Sequence, residues 1–241
     1  MFNKNKTYEQ HDNEKISFYR NSVEDLNSQD YLLADINVDI CVIGGGLTGI
    51  STALNLSKKG YSVVLCEARK IGWGASGRNG GQLGIGMRKD QYTVEKMLGL
   101  SHAKELWKLG LESVDEVKTL IKEYNINCHL VNGIMSSACF PKDIDEFKFE
   151  LEYMSKNYNS DGYKFFNSSE IKNEINSDTY LAGLLDTYSY HLNPLKLTIG
   201  LAKILQKYKV RIYEDTAVEN IFEKKDSVEI YTKKGVIKSN K

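Results

Sequence analysis

Proline and histidine are scarce in this 241-residue chain, which carries two prolines and four histidines. So few prolines argue against proline-rich linkers. No second histidine or carboxylate stands at ligand spacing from His191, so no metal site is expected. The cysteines Cys41, Cys66, Cys128 and Cys139 show no C-x-x-C spacing. Cys41 and Cys66 fall in apolar runs that read as strands, so they are expected as small core residues in a reducing compartment. Net charge is absent as well: 32 basic residues balance 32 acidic ones. Without a global field, neither nucleic acid nor an acidic membrane surface is an expected partner. No apolar run is long enough to cross a bilayer. The opening MFNKNKTYEQHDNEK lacks the apolar core of a secretion signal. A soluble cytoplasmic protein is expected. The remaining composition, 41% hydrophobic and 27% charged, is that of an ordinary globular chain with one large domain or two small ones.

What is present concentrates in residues 38–86. Residues 39–43 (DICVI) form a short apolar run of the kind buried in a parallel sheet. Gly44, Gly46 and Gly49 follow as G-x-G-x-x-G. The first permits a tight turn, the second lets a phosphate approach bare backbone, and the third lets a helix lie close on the strand. The helix is predicted over 47–59, its N-terminal amides and positive dipole end facing a pyrophosphate, with Gly60 as a left-handed stop. Residues 61–66 make the second strand and deliver Glu67 at its tip. A carboxylate there accepts hydrogen bonds from ribose hydroxyls and repels a 2′-phosphate. This βαβ unit predicts dinucleotide binding but does not by itself separate FAD from NAD.

Directly after the acid comes a second glycine-rich loop, residues 71–81 (IGWGASGRNGG), with Trp, Arg, Asn and five glycines. An NAD-binding fold would normally pass straight into a crossover helix. A loop with this much exposed N–H can follow a long diphosphate toward an isoalloxazine ring, which favours FAD; an ordinary surface loop is the alternative.

On these residues the chain resembles the FAD-dependent D-amino acid oxidase superfamily. Within it, GWGASGRNGG, together with Ser17-Phe18-Tyr19 and His191-Leu192-Asn193-Pro194, resembles the gamma-glutamylputrescine oxidase branch. The resemblance runs from about Ser17 to the end. It implies an α/β fold: a three-layer Rossmann-type FAD-binding domain with a parallel sheet and a β-meander, plus an incomplete α+β substrate domain. It implies FAD as cofactor and an amine or amino acid as substrate, oxidised at its C–N bond with oxygen as acceptor. The implied cofactor contacts are Gly44, Gly46, Leu47, Thr48 and Gly49, then Glu67, Ala68 and Arg69. Gly74, Ala75, Ser76, Arg78, Asn79, Gly80 and Gly81 follow, with Val218 by its backbone near the adenine. No catalytic acid or base is assigned. Arg78 suits negative charge on a diphosphate or reduced flavin, or a structural salt bridge equally well.

Along the rest of the chain, residues 1–33 are polar and read as an arm with Phe18, Tyr19 and Tyr31 as anchors. Residues 34–125 are expected to be the first part of the FAD-binding domain. Apolar residues from Ala103 to Tyr124 recur at helical spacing, with Ser101 as N-cap. Trp107 reads as core, and His102 as a residue near a helix start. Residues 126–190 are expected to be a partial substrate domain. There 128–131 and 134–140 read as a hairpin turning at Asn132-Gly133. An apolar helix stripe follows (Ile144, Phe147, Leu151, Met154, Tyr158). Next come an Asn167/Glu170 capping box and a strand over 180–188. Residues 191–241 return to the FAD-binding domain. Asn193-Pro194 open a helix, 210–213 form a third parallel strand, and a meander follows. His191 reads equally as a site residue or as a turn histidine. The family usually has Gly where this chain has Lys209.

The resemblance also implies that a long apolar strand and the remaining substrate layer lie beyond residue 241. The chain is then expected to be an N-terminal portion, with strand 39–43 at a sheet edge and a complementing C-terminal half as a candidate partner. Alternative readings are a complementation-dependent FAD-binding fragment and, disfavoured by the second glycine loop, an NAD-dependent dehydrogenase.

Overall fold

The computed structural model describes residues 17–24, 26 and 32–240. In chain order the strands and helices are β1 (Ile36–Val38), β2 (Ile40–Ile43), α1 (Leu47–Lys58), β3 (Val63–Cys66), β4 (Gln82–Leu83), α2 (Gln91–Leu98) and α3 (Leu100–Glu123). Then come β5 (Val131–Ala138), α4 (Pro141–Tyr158), β6 (Tyr163–Phe166), α5 (Ser168–Ile175), β7 (Ala182–His191) and α6 (Pro194–Lys207). Finally come β8 (Arg211–Tyr213), β9 (Val218–Glu223), β10 (Val228–Thr232) and β11 (Gly235–Ser239). They fall into two compact units, one within 1–78 and 205–241 and the other Asn79–Ile204.

The first unit has three layers. Its centre is the parallel sheet β2-β3-β8, with all of β3 buried, as a strand covered on both faces must be. Val64 and Cys66 join Leu32, Val38, Tyr213, Ile230 and Ile237 in one buried cluster, so this sheet face packs on the meander β9-β10-β11. By alternation, Val63 and Leu65 point to the opposite face. Leu65 stands beside Val42, against which Gly49 of α1 packs. The Cys66 thiol is pushed well above its ordinary range, first by its hydrogen bond with Cys41 and then by burial. That is the behaviour of an inert core residue; Cys41 itself is half-buried.

Two features of this unit depart from the sequence reading. The meander gains a fourth strand, because β1 pairs in parallel with β11 (Ile36 with Ile237, Val38 with Ser239). Three residues are too few for a periodic signal, so β1 was not legible in the sequence. In the arm, Phe18 is 81% exposed and anchors nothing, whereas Leu32 is buried. Tyr31 lies outside the described residues. β2 pairs with β3 alone among the described strands, and beyond β11 the Asn240 amide donates to the Asp39 carbonyl at 3.0 Å.

In the second unit the central strand is β7. β5 runs along it, while β6 pairs with its first half and β4 with its last residues, all antiparallel. The expected hairpin at Asn132-Gly133 does not form. Both arms were to have been strands, but Cys128 lies in a bend and β5 runs straight through the dipeptide. Gly133, at φ +97°, absorbs a register shift between Asn132 and Ile134 as a β-bulge. The Asn132 side-chain amide donates through Nδ2 across to the Thr187 carbonyl at 2.7 Å instead of closing a turn. His191 bonds the Gly133 carbonyl through Nδ1 at 3.0 Å, so it braces the same bulge.

The long helical stretch is also divided. Gly99, at φ +80°, separates α2 from α3, and Asp90, not Ser101, supplies an N-cap by accepting from the Thr93 amide at 2.8 Å. Gly110 of α3 packs so close to the Ile85 carbonyl that a Cβ would sit 2.3 Å from it. α3 therefore belongs with the second unit, and the expected domain break at 125/126 falls instead at 78/79. Trp107 is half-buried and meets Tyr158 and Tyr188 edge-on, while His102 is exposed near the start of α3. The strand expected over 180–188 is shifted to Ala182–His191. The Asn167/Glu170 capping box is present in full, with Asn167 accepting from Ser169 and Glu170 and Glu170 accepting from Asn167.

Glu150 of α4 is half-buried beside the rings of Tyr92, Phe149 and Tyr153. Burial raises its pKa, and the charges of Asp90 and Asp186 raise it further. The folded state therefore holds this proton more tightly than the unfolded chain, and stability falls as pH rises from the ordinary carboxylate pKa through the raised one. Replacing Glu150 with Gln is expected to raise the urea midpoint at pH 7, with the gain vanishing below about pH 4. The second expectation concerns Lys209, which follows α6 at φ +59°. A left-handed backbone costs a side-chain-bearing residue roughly 1–2 kcal/mol. Lys209→Gly is expected to stabilise the protein by about 1 kcal/mol and raise its thermal midpoint by about 2–4 °C in calorimetry.

Candidate cofactor-binding site

The site grows from the C-terminal ends of β2 and β3. Gly44, at φ +105°, turns the chain as β2 ends, and its amide donates to the Cys66 carbonyl at 2.8 Å. Glu67 follows β3, and its carboxylate points into the glycine turn. One oxygen accepts from the Gly45 amide at 2.6 Å, the other from the Arg69 amide at 2.8 Å. An ionised carboxylate has about four acceptor positions, so capacity remains for ribose hydroxyls. Gly45 was not singled out in the sequence, although it is what brings the acid to the turn. A Cβ there would lie 2.4 Å from Ile71 and 3.1 Å from Glu67.

The helix start is similarly bare. Gly46 is the N-cap of α1, and a Cβ on it would meet the Ser76 hydroxyl at 2.8 Å. That hydroxyl accepts from the Leu47 amide at 3.0 Å. A Cβ on Gly49 would strike the Gly44 carbonyl at 2.0 Å, which is the close helix–strand approach expected of the third glycine. The amides of Gly46, Thr48 and Gly49 find no acceptor among the described residues. A helix N-terminus with three open amides beside the small Ser76 hydroxyl suits a diphosphate.

The loop after Glu67 is held from below. The Thr216 amide donates to the Glu67 carbonyl and the Asp215 amide to the Arg69 carbonyl, both at 2.9 Å. Buried Glu214 accepts from the Ile71 amide at 2.7 Å. Lys70 reaches Asp215 at 2.8 Å and Glu214 at 3.5 Å, and its pKa is raised chiefly by the Asp215 bond. The resemblance puts Glu214 in the 214–218 segment that passes the adenine, but nothing local in the sequence marks its bond to the Ile71 amide. Ala68 is exposed, and Val218 opens β9 at the margin of the buried cluster. Ala75, Ser76 and Gly77 form one 3-10 turn that begins after Gly74 and is closed by Arg78.

Gly44, Gly46, Leu47, Thr48, Gly49, Glu67, Ala68, Arg69, Gly74, Ala75, Ser76, Arg78 and Val218 thus all lie in the first unit. Asn79, Gly80 and Gly81 lie in the second. There the Asn79 side chain accepts from the Gly81 amide at 2.9 Å. Gly81, at φ +73°, packs against the Leu192 carbonyl, which a Cβ would approach to 2.0 Å. Among the described residues no cluster of three metal-ligating side chains occurs, and no helix is long and apolar enough to cross a membrane.

Residues 39–239 match the family model for DAO, the FAD-dependent oxidoreductases. This chain belongs to that family. It is 36% identical over 205 residues to the gamma-glutamylputrescine oxidoreductase of Escherichia coli, covering 85% of this chain and 48% of that protein. It is 34% identical over 218 residues to the probable oxidoreductase OrdL of Haemophilus influenzae, covering 88% and 50%. The chain therefore spans about half the length of these curated relatives. Among solved structures, glycine oxidase from Geobacillus kaustophilus superposes with a TM-score of 0.66 at 18% identity, covering 85% of this chain and 54% of that one. L-amino acid deaminase from Proteus vulgaris superposes with a TM-score of 0.65 at 22% identity, covering 85% and 46%. These structures show the same fold, a parallel Rossmann-type sheet with its added layers.

Removing the Glu67 carboxylate would leave the amides of Gly45 and Arg69 without acceptors. Glu67→Ala is expected to destabilise the protein by about 1–3 kcal/mol in urea unfolding. Glu67→Gln, which keeps one acceptor oxygen, is expected to lose clearly less.

Proposed function

We propose that this protein binds FAD and serves in oxidising the C–N bond of an amine or amino acid to an imine. Oxygen is the proposed electron acceptor. The observation that carries the reading is the Glu67 carboxylate turned into a glycine turn whose neighbouring helix amides stand open. Family membership and the relationship to gamma-glutamylputrescine oxidoreductase support the substrate class.

Each named residue has a role in this reading. The amides of Gly46, Thr48 and Gly49 receive the diphosphate. Glu67 receives the ribose with its remaining acceptor positions and disfavours a 2′-phosphate. Ser76 and Arg78 continue the path along the second glycine loop, with Gly74, Ala75, Asn79, Gly80 and Gly81 giving it close backbone approach. The backbone of Ala68 and Arg69 flanks the ribose, and the Val218 backbone lies toward the adenine. When bound, FAD supplies the two-electron acceptor for the hydride that leaves the substrate carbon next to nitrogen. Water then hydrolyses the imine to a carbonyl compound plus amine or ammonia, and oxygen becomes peroxide. The protein's part is binding, orientation and electrostatics.

A second reading has a specific observation behind it. The chain covers about half of its curated relatives, and β2 has a strand partner on one side only among the described residues. On that reading the chain binds FAD and needs a complementing segment before it turns over substrate. An absorption spectrum of the purified protein tests both. Oxidised-flavin bands, or their appearance on adding FAD, are expected. Bleaching by an amine or amino acid would select the first reading, and bleaching only after a complementing segment is added would select the second. A colourless protein that takes up no FAD would overturn both.

A further inference from the structure

Trp73 stands in the second glycine loop between the acid at the tip of β3 and the 3-10 turn at Ala75–Gly77. The guanidinium of Arg69 lies over its ring, 5.1 Å from the centroid, and that of Arg78 lies over the same ring at 4.9 Å. We propose that Trp73 is a positioning residue that gathers these two cations beside the glycine turn as a paired grip for the diphosphate. This inference rests on the nucleotide-site reading above and adds to it a residue that the G-x-G-x-x-G pattern does not contain.

Two guanidinium groups over one indole lie within about a Debye length of each other at ordinary salt, so they repel. The negative face of the ring offsets that repulsion, and Trp does so better than any other aromatic side chain. Arg69 forms no ion pair among the described residues. Glu67 has given an oxygen to each of two backbone amides, while Glu214 and Asp215 hold Lys70. The two arginines are also anchored on opposite sides of the ring in sequence. Arg69 follows the acid, and its carbonyl accepts from Asp215. Arg78 closes the turn whose Ser76 hydroxyl accepts from the first amide of α1. Trp73 thus ties the ribose side of the site to the diphosphate side. Guanidinium is the side-chain cation whose planar fork matches phosphate oxygens in pairs.

The test is FAD binding to the chain by flavin-fluorescence titration at about 0.05 M and about 0.5 M NaCl, where screening differs several-fold. At low salt Trp73→Leu is expected to weaken FAD binding about tenfold, and Trp73→Phe by less, because Phe is the weaker cation–π partner. At high salt both losses should shrink toward twofold. In an Arg69→Met/Arg78→Met background the Trp73 substitutions should add less than about twofold, since coupled residues are non-additive. Riboflavin, which has no phosphate, should show no salt-dependent loss. A Trp73→Leu loss that is equal at both salt concentrations and persists in the double-arginine background would overturn the proposal and leave Trp73 as packing. Should Trp73→Leu fail to fold by circular dichroism, Trp73→Phe in the two backgrounds decides by the same criterion. Wild-type protein that takes up no FAD removes the nucleotide site and this inference together. Equal FAD affinity in wild type and Trp73→Leu removes this inference alone.

Discussion

A carboxylate hydrogen-bonded to a backbone amide is the contact on which the site depends. Glu67 reaches Gly45 at 2.6 Å and fixes the tip of β3 against the turn after β2. Backbone bonds extend the same seam: Gly44 to Cys66, Glu67 to Tyr213 and Thr216 to Glu67. The ends of the three parallel strands are thereby fastened into one rim. Bonds to an ionised acceptor are about twice as strong as neutral ones, so the acid stiffens the turn before any ligand arrives. Pre-ordering of this kind lowers the entropy lost on binding.

Around that rim, glycine acts by excluding side chains. Gly45 leaves room for Glu67 and Ile71, Gly46 for Ser76, and Gly49 for the carbonyl of Gly44. Positive φ matters at Gly44, whereas at Gly46 and Gly49 the demand is for space. The surface at the start of α1 is therefore made largely of backbone. The long side chains that accompany it, Arg69, Trp73 and Arg78, stand in the following loop.

Most of the first unit could be read from the chain because its signals are local and agree with one another. The apolar run 39–43, the three spaced glycines and the acid at 67 all point to one βαβ unit, and β2, α1 and β3 lie where that unit requires, with β3 beginning at Val63. Val210–Tyr213 was legible as a third parallel strand and Ser227–Thr232 by its alternation, and Lys209 takes the left-handed conformation that glycine ordinarily serves there. Signals that misled were those in which tertiary pairing overrode a local preference. Asn132-Gly133 has strong hairpin propensity, yet the ten-residue β7 offers a continuous partner, so the dipeptide becomes a bulge. Ser101 is a good cap residue, but Gly99 breaks the helical run two residues earlier. Gly45's contact with Glu67, Glu214's bond to Ile71 and the strand β1 carried no local signal, because Glu67, Ile71 and β11 are distant in sequence.

The pairing of β1 with β11 joins segments separated by 201 residues, as does the bond from the Val236 amide to Asp35. Contacts so remote cannot begin to form until nearly the whole stretch has left the ribosome. Residues 79–204, being continuous, are available to fold earlier. During synthesis the apolar β2 and β3 must therefore remain without β8 or the meander until the second unit has been made. That interval, rather than the finished protein, is where a chaperone would have most to protect.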